Sequence, residues 1–216
     1  MHVQIVLFDG FDPLDVVAPF EVLHAGGAAS GGAVGVELVS AEGPREVVGG
    51  AGGLALRATG TLSPERAGVV LVPGAAGPLE ETGGAEPSIP VLLGRTLTTG
   101  LPALLGAAMK NPEVTTASVC GGSLVLALAG LIGGRHATTH HLGLDQLDEA
   151  GVHAVHARVV DDGDLVTGAG VTSGLDLALY LLEREVGPQV ALAVEELFAY
   201  ERRGTVWRAA GLGAGH

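Results

Sequence analysis

The stretch Thr115-Thr116-Ala117-Ser118-Val119-Cys120-Gly121-Gly122-Ser123-Leu124-Val125-Leu126 gives a reactive atom a suitable setting. A β-branched run ends at Cys120, two glycines follow, and an apolar helical segment begins. A side chain on such a strand-to-helix turn stands above the C-terminal edge of a sheet. The tight backbone there needs small neighbours, which Ser118, Gly121 and Gly122 supply. The N-terminus of the following helix would add free N–H groups and the positive end of its dipole, both favouring thiolate over thiol. The same pattern also fits a small buried core cysteine, a common fate of an unpaired Cys.

A sulfur nucleophile needs an acid group beside it. The segment Phe8-Asp9-Gly10-Phe11-Asp12-Pro13-Leu14-Asp15-Val16-Val17 follows an N-terminal apolar run and leads into a stretch of helical period. In a doubly wound sheet the strand ends converge on one crevice, so this first connection can face the Cys120 turn. Asp15, set among Leu14, Val16 and Val17, is expected to have its pKa raised by desolvation. Asp12 and Asp15 are equally suited to the simpler task of capping the helix. Glu21 is expected to face solvent or an interface.

The elements that must position these groups read as a single α/β domain with a mostly parallel sheet sandwiched by helices. Strands are expected at Val3–Phe8, Val34–Ser40, Val69–Val72, Val114–Val119 and Leu165–Thr167, with a hairpin joining Val47–Val48 to Leu54–Leu56. Helices are expected at Leu14–Ala25, Gly122–Ile132, Leu142–Ala150, Ser173–Glu185 and Pro188–Arg202, with Ser173 and Asp176 at N-capping spacing. Residues 76–112 carry five prolines and read as an excursion holding one helix in Pro90–Ala108. The domain is expected to occupy residues 1–203, followed by a Gly/Ala-rich tail at 204–216 that frays.

Composition narrows the function classes. The 216 residues are 47% hydrophobic and 16% charged, which excludes a disordered chain. A chain of this length can bury roughly 70% of its unfolded surface without a disulfide or metal staple. Eleven basic against 24 acidic residues give a net charge of −13, which argues against a nucleic-acid groove. Cys120 is the single cysteine, so no internal disulfide can form and a reducing compartment fits. No segment reads as a signal peptide or a bilayer span, so a soluble cytoplasmic protein is expected. Lys110 is the single lysine and lies beside Asn111-Pro112 in an expected turn, which disfavours Schiff-base chemistry.

Taken in order, several pieces resemble the ThiJ/PfpI superfamily, which has the class I glutamine amidotransferase-like, flavodoxin-like fold. Within it the likeness is greatest to the isocyanide hydratases and their relatives. The pieces are Val6-Leu7-Phe8-Asp9-Gly10-Phe11, Leu14 to Leu23, Leu71-Val72-Pro73-Gly74, Ser118 to Leu126, Gly134 to His140, and Gly168 to Asp176. The resemblance implies that Cys120 is the nucleophile and that Asp15 hydrogen-bonds its sulfur. It implies that the amides of Gly74, Ala75 and Gly121 form an oxyanion-type pocket, that His140 lies at the site rim against the substrate, and that the protein is a homodimer. Two departures stand out: Gly121 replaces the threonine that follows the cysteine in the isocyanide-active relative, and Pro73-Gly74-Ala75 replaces Pro-Gly-Gly. Gly121 also counts against the peptidase branch, which places histidine there.

The remaining signals are weaker. His136, His140, His141, His153 and His156 cluster in sequence, but His140 and His141 are adjacent and are expected to point apart, so no metal is implied. A Cys120–His140 pair stays open as a general-base arrangement. Gly168-Ala169-Gly170 lacks the third glycine of a dinucleotide fingerprint, and no P-loop exists. Asp161, Asp162 and Asp164 read as a solvated hairpin turn.

The expected activity is that of an isocyanide hydratase, adding water to an isonitrile through a thioimidate on Cys120. No cofactor is needed, and the partners are a small electrophile and water. Glyoxalase-type or other cysteine hydrolase chemistry is the enzymatic alternative. A ligand- or redox-sensing domain without turnover is the third reading, since relatives precede helix-turn-helix segments and this chain has none to residue 216.

Overall fold

The structure is a computed structural model that describes residues 1–80 and 87–209. In chain order the elements begin with β1 (His2–Val6), α1 (Pro13–Ala29), β2 (Gly35–Ser40), β3 (Arg45–Val48), β4 (Ala55–Ala58), β5 (Gly60–Thr61) and β6 (Gly68–Val72). Next come α2 (Ile89–Thr96), α3 (Leu101–Ala108), β7 (Val114–Val119), α4 (Gly122–Leu128), β8 (His136–Ala137), α5 (Leu144–Glu149) and β9 (His153–Ala154). The described chain closes with β10 (Val159–Asp161), β11 (Leu165–Gly168), α6 (Ser173–Glu185), α7 (Pro188–Phe198) and β12 (Trp207–Arg208).

Eight strands form one sheet in the order β12-β10-β11-β7-β6-β1-β2-β5. Every neighbouring pair is parallel except β10 with β11. From β1 the chain steps outward to β2, whereas from β6 it steps the opposite way to β7 and then β11. Right-handed crossovers place the intervening helices of the two halves on opposite faces. Accordingly α1 packs on α6 and α7, while α4 packs on α2 and α5. The crevice where strand order reverses lies between the C-terminal ends of β1 and β6, with β7 next in line. This is the mostly parallel, helix-flanked sheet expected from the alternation of apolar runs.

Helix α1 is held in place by close approach to α6. A Cβ on Gly26 would lie 2.5 Å from Leu182 Cδ2, and one on Gly174 would lie 3.1 Å from Pro19 Cδ. Asp15, Pro19, Val22 and Gly26 recur at helical spacing along the buried side of α1. The helix therefore carries its one buried carboxyl inward at its first turn. Asp12 is the cap: its Oδ1 accepts from the Leu14 amide at 2.9 Å, with Pro13 in the first helical position.

Four expectations need correction. The single helix over Pro90–Ala108 is two, because the chain breaks after Thr96 and restarts at Leu101 with Pro102 in its first turn. Ser173 does not cap α6: Thr172 holds the cap position, Ser173 Oγ is buried without a partner, and Asp176 bonds Arg158, Tyr200 and the Arg203 amide instead. Of the acidic residues at the β10–β11 hairpin, Asp161 and Asp162 are largely withdrawn from solvent and paired, while Asp164 is paired but exposed as expected. Arg135 bonds Asp162 and Asp164, and Asp161 accepts from the Tyr180 hydroxyl. Within the stretch read as a fraying tail, Trp207 and Arg208 extend the sheet edge by pairing with Val160 and Asp161; residues 210–216 lie outside the described residues.

Candidate active site

Cys120 sits at the end of β7 with φ of +54°, one of two non-glycine residues with positive φ among the described residues. An L-residue held there stores roughly 1–3 kcal/mol of backbone strain, which persists only when its surroundings over-determine it. They do so here. The Cys120 amide donates to the carbonyls of Gly168 and Ala169, at 3.0 and 2.9 Å, and its carbonyl accepts from Thr139 Oγ1 at 2.7 Å. Gly122 must be glycine, since a Cβ would lie 2.1 Å from the Val72 carbonyl oxygen. Gly74 is equally constrained, because its Cβ would lie 2.6 Å from Gly121 N and 2.8 Å from Asp15 Oδ2. The end of β6 and the elbow thus meet backbone to backbone.

Asp15 is fully buried, and its Oδ2 accepts from the Gly74 amide at 2.8 Å. The carboxyl and the Cys120 thiol influence each other's ionisation, although no regular hydrogen bond joins them among the described residues and Oδ1 has no hydrogen-bond partner. Burial raises the pKa of Asp15 to about 8, with the Asp12 carboxylate pushing the same way and the Gly74 amide opposing. At neutral pH the group is a carboxylic acid, able to donate a proton.

Cys120 is 8% exposed, and burial pushes its thiol well above the usual range, followed by the charge on Asp15. The Gly121 amide works against that shift but does not outweigh it. The thiolate-favouring environment expected from the helix start is therefore corrected: a short helix and one amide do not offset burial beside a carboxylate. The resting pair is thiol and carboxylic acid.

A cavity of about 620 Å³ opens over the sulfur. Cys120, Gly121, Leu93 and Leu124 lie toward its base, and the exposed side chains of Leu79, Glu80 and Leu142 lie at its rim. Ala75 and His140 also line it. This size and apolar character suit a small organic ligand.

The amides expected to form an oxyanion pocket divide their roles. Gly74 is committed to Asp15, which corrects its expected role as a free donor. The Gly121 amide favours the ionised cysteine sulfur, whereas Ala75 lines the cavity and meets no backbone acceptor among the described residues. His140 Nδ1 accepts from the Leu142 amide at 3.3 Å, leaving the ring proton on Nε2. Burial lowers its pKa, and it makes no hydrogen bond to Cys120 among the described residues. His140 and His141 do not point apart: their rings lie side by side, tilted by 34°, with centroids 4.3 Å apart. Among the described residues no three His, Cys, Asp or Glu side chains converge to hold a metal.

This elbow agrees with what the chain is similar to. Residues 96–184 match the family model described as the DJ-1/PfpI family. That stretch holds Cys120 and the elbow, and it is similar to the DJ-1/PfpI family. The chain is 48% identical over 83 residues to an isonitrile hydratase of Pseudomonas putida, covering 38% of this chain and 36% of that one. It is 30% identical over 199 residues to the HTH-type transcriptional regulator CdhR of Pseudomonas aeruginosa, covering 91% of this chain and 54% of the regulator. The chain thus spans about a quarter to a half of the length of the curated relatives it matches. Among solved structures, a ThiJ/PfpI family protein from Pseudomonas syringae superposes with a TM-score of 0.76 at 25% identity, over 94% of this chain and 76% of that one.

Sequence reasoning singled out Cys120 and Asp15 as the reacting pair and Asp12 as a candidate cap, and the fold brings all three to one end of the sheet. It missed Thr139, which fixes the elbow carbonyl, and Leu93, which packs beside Gly121. The only signal for Thr139 was its place in the run Gly134 to His140. Among the described residues no single helix is long and apolar enough to cross a membrane; α2 and α3 pass by composition only as a bent pair.

Proposed function

We propose that this domain is a cysteine-dependent hydratase of small electrophiles, with an isonitrile as substrate. The observation that carries the reading is a buried carboxylic acid at Asp15 electrostatically coupled to a thiol at the base of an apolar cavity. Similarity to an isonitrile hydratase supports the choice of substrate.

In the proposed reaction the Cys120 sulfur adds to the terminal isonitrile carbon while Asp15 delivers its proton to that carbon. The thiol proton replaces the one Asp15 gave up, and the product is a thioimidate, R–N=CH–S–Cys120. Water then adds to the same carbon, one of its protons going to nitrogen. The C–S bond breaks as the hydroxyl proton returns to sulfur through Asp15, releasing R–NH–CHO and restoring the thiol. Ala75 and Gly121 line the cavity, and in the proposed reaction their amides would steady developing charge. No cofactor enters the balance.

The test mixes purified protein with an aryl isocyanide and follows the N-formamide. Turnover lost in both Cys120→Ala and Asp15→Asn is the expected result. Undiminished turnover in Cys120→Ala would remove the mechanism.

A second reading has its own support. The regulator CdhR aligns along 91% of this chain, so the domain could serve to bind a ligand without converting it. Saturable binding of isocyanides without formamide would favour that reading.

A further inference from the structure

The cavity over Cys120 is asymmetric in charge. Asp12 and Glu80 contribute carboxylates to its wall, and Gln146 and His140 are its other polar side chains. No Lys or Arg lines it among the described residues. His140 is a poor counter-charge to the carboxylates, because burial and His141 lower its pKa. Asp12 reaches the reacting centre electrostatically, since its charge raises the pKa of both Asp15 and Cys120.

We infer that Asp12 and Glu80 make this cavity a charge filter, admitting neutral small electrophiles to Cys120 and turning away those bearing a carboxylate or phosphate. The inference rests on the proposed reading of Cys120 as the reacting atom, and it narrows the substrate class to uncharged molecules with an apolar substituent. An anion brought to the sulfur loses hydration, finds no cation, and meets fixed negative charge through a partly dehydrated medium, where screening is weak. Asp12 does this while keeping its structural task as the cap of α1. An asparagine would retain that cap, because its side-chain oxygen can accept from the Leu14 amide as well as aspartate does.

The chain's single cysteine makes the test direct, since every alkylation event reports this site. Iodoacetamide and iodoacetate react alike: the sulfur forms a C–S bond to the methylene carbon, the C–I bond breaks, iodide leaves, and the thiol proton is released to solvent. They differ in charge and little in size. The ratio of their rates at one pH cancels the thiolate fraction and reads the cavity's discrimination. N-acetylcysteine, a thiol free in water, shows the ratio set by the reagents alone.

In the native protein the preference for iodoacetamide over iodoacetate is expected to exceed that of N-acetylcysteine by at least about tenfold, a difference of about 1.4 kcal/mol. Asp12→Asn should shrink that excess several-fold, and the Asp12→Asn, Glu80→Gln double variant should bring the preference close to that of N-acetylcysteine. A native ratio equal to that of N-acetylcysteine, an unchanged ratio in the double variant, or failure of both reagents to modify the folded protein would overturn the inference. The hydratase reading is scored separately by formamide release. The filter can therefore hold where turnover is absent, and turnover can occur where the filter fails.

Discussion

Asp15 holds one carboxyl oxygen 2.8 Å from the Gly74 amide and is coupled electrostatically to the Cys120 thiol, with both groups buried. Two acids so coupled titrate as a pair, and a charge on either one hinders the other from ionising. The arrangement is suited to passing a proton rather than to storing a thiolate.

The pH dependence of thiol reactivity follows. Burial and the Asp15 charge both raise the thiol pKa, so iodoacetamide alkylation of native protein is expected to have its midpoint above the ordinary value of ~8.5. Asp15→Asn removes the charge and leaves the burial, and the midpoint should move down. A native midpoint below 7 would contradict this electrostatic picture.

Stability should change with pH in the opposite sense to an ordinary salt-bridged carboxylate. The folded pKa of Asp15 is about 8 against 3.8 for an aspartate in open solvent, so the unfolded chain ionises first. Its favourable contribution is complete below pH 3.8 and is lost as pH rises toward 8. At pH 7 the loss has an upper bound on the order of 4 kcal/mol. Asp15→Asn should therefore raise Tm at pH 7, by about 2–4 °C for each kcal/mol recovered, and should give little gain near pH 4. Thermal melts of the two proteins across pH 4–8 make the comparison, and equal gains at both ends would contradict it.

The three glycines around the elbow are expected to respond differently to substitution. Gly121 has φ of −66° and ψ of −4°, which any residue can adopt, and its Cβ would meet a leucine methyl, Leu93 Cδ1, at 3.3 Å. Gly121→Thr should fold with a loss of about 1 kcal/mol or less and add a hydroxyl donor beside the sulfur. If formamide release is limited by that missing donor, turnover should rise. Gly74→Ala and Gly122→Ala drive a Cβ into backbone at 2.6 and 2.1 Å and should fail to fold or lose activity outright. Expression, Tm and turnover of the three variants separate these outcomes.

Much of this was legible in the sequence, because the parallel strands are nearly continuous apolar runs with β-branched residues. The five expected strands appear in the sheet within a residue or two at their ends, and the hairpin pairs Val47 with Leu56 as its pattern implied. The short strands β5, β8, β9 and β12 were not legible, since two residues carry no periodicity. Asp15 stood out by its apolar neighbours and by the resemblance. Which of Asp12 and Asp15 caps the helix was settled only in space, where helix phase against α6 turns Asp15 inward. The sign of the thiol shift was misread for a related reason. A helix N-terminus is visible in sequence, whereas burial beside a carboxyl is a property of packing.

Thr139 offers the sharpest test of how the elbow is held. Its hydroxyl donates to the Cys120 carbonyl at 2.7 Å in a buried setting, steadying a residue whose φ is unfavourable for cysteine. Thr139→Val keeps the shape, removes the donor and leaves that carbonyl unsatisfied, at a cost of about 1–3 kcal/mol. The substituted elbow should relax, moving the sulfur away from Asp15. Turnover of isocyanide should then fall about tenfold or more in kcat with little change in KM, because Thr139 positions the reacting atom and the cavity wall is left in place. Thr139→Ser restores the hydroxyl and should recover most of the rate. A merely structural role would lower Tm in Thr139→Val while leaving kcat per folded molecule and the alkylation midpoint of Cys120 unmoved, and that pattern would refute the positioning role.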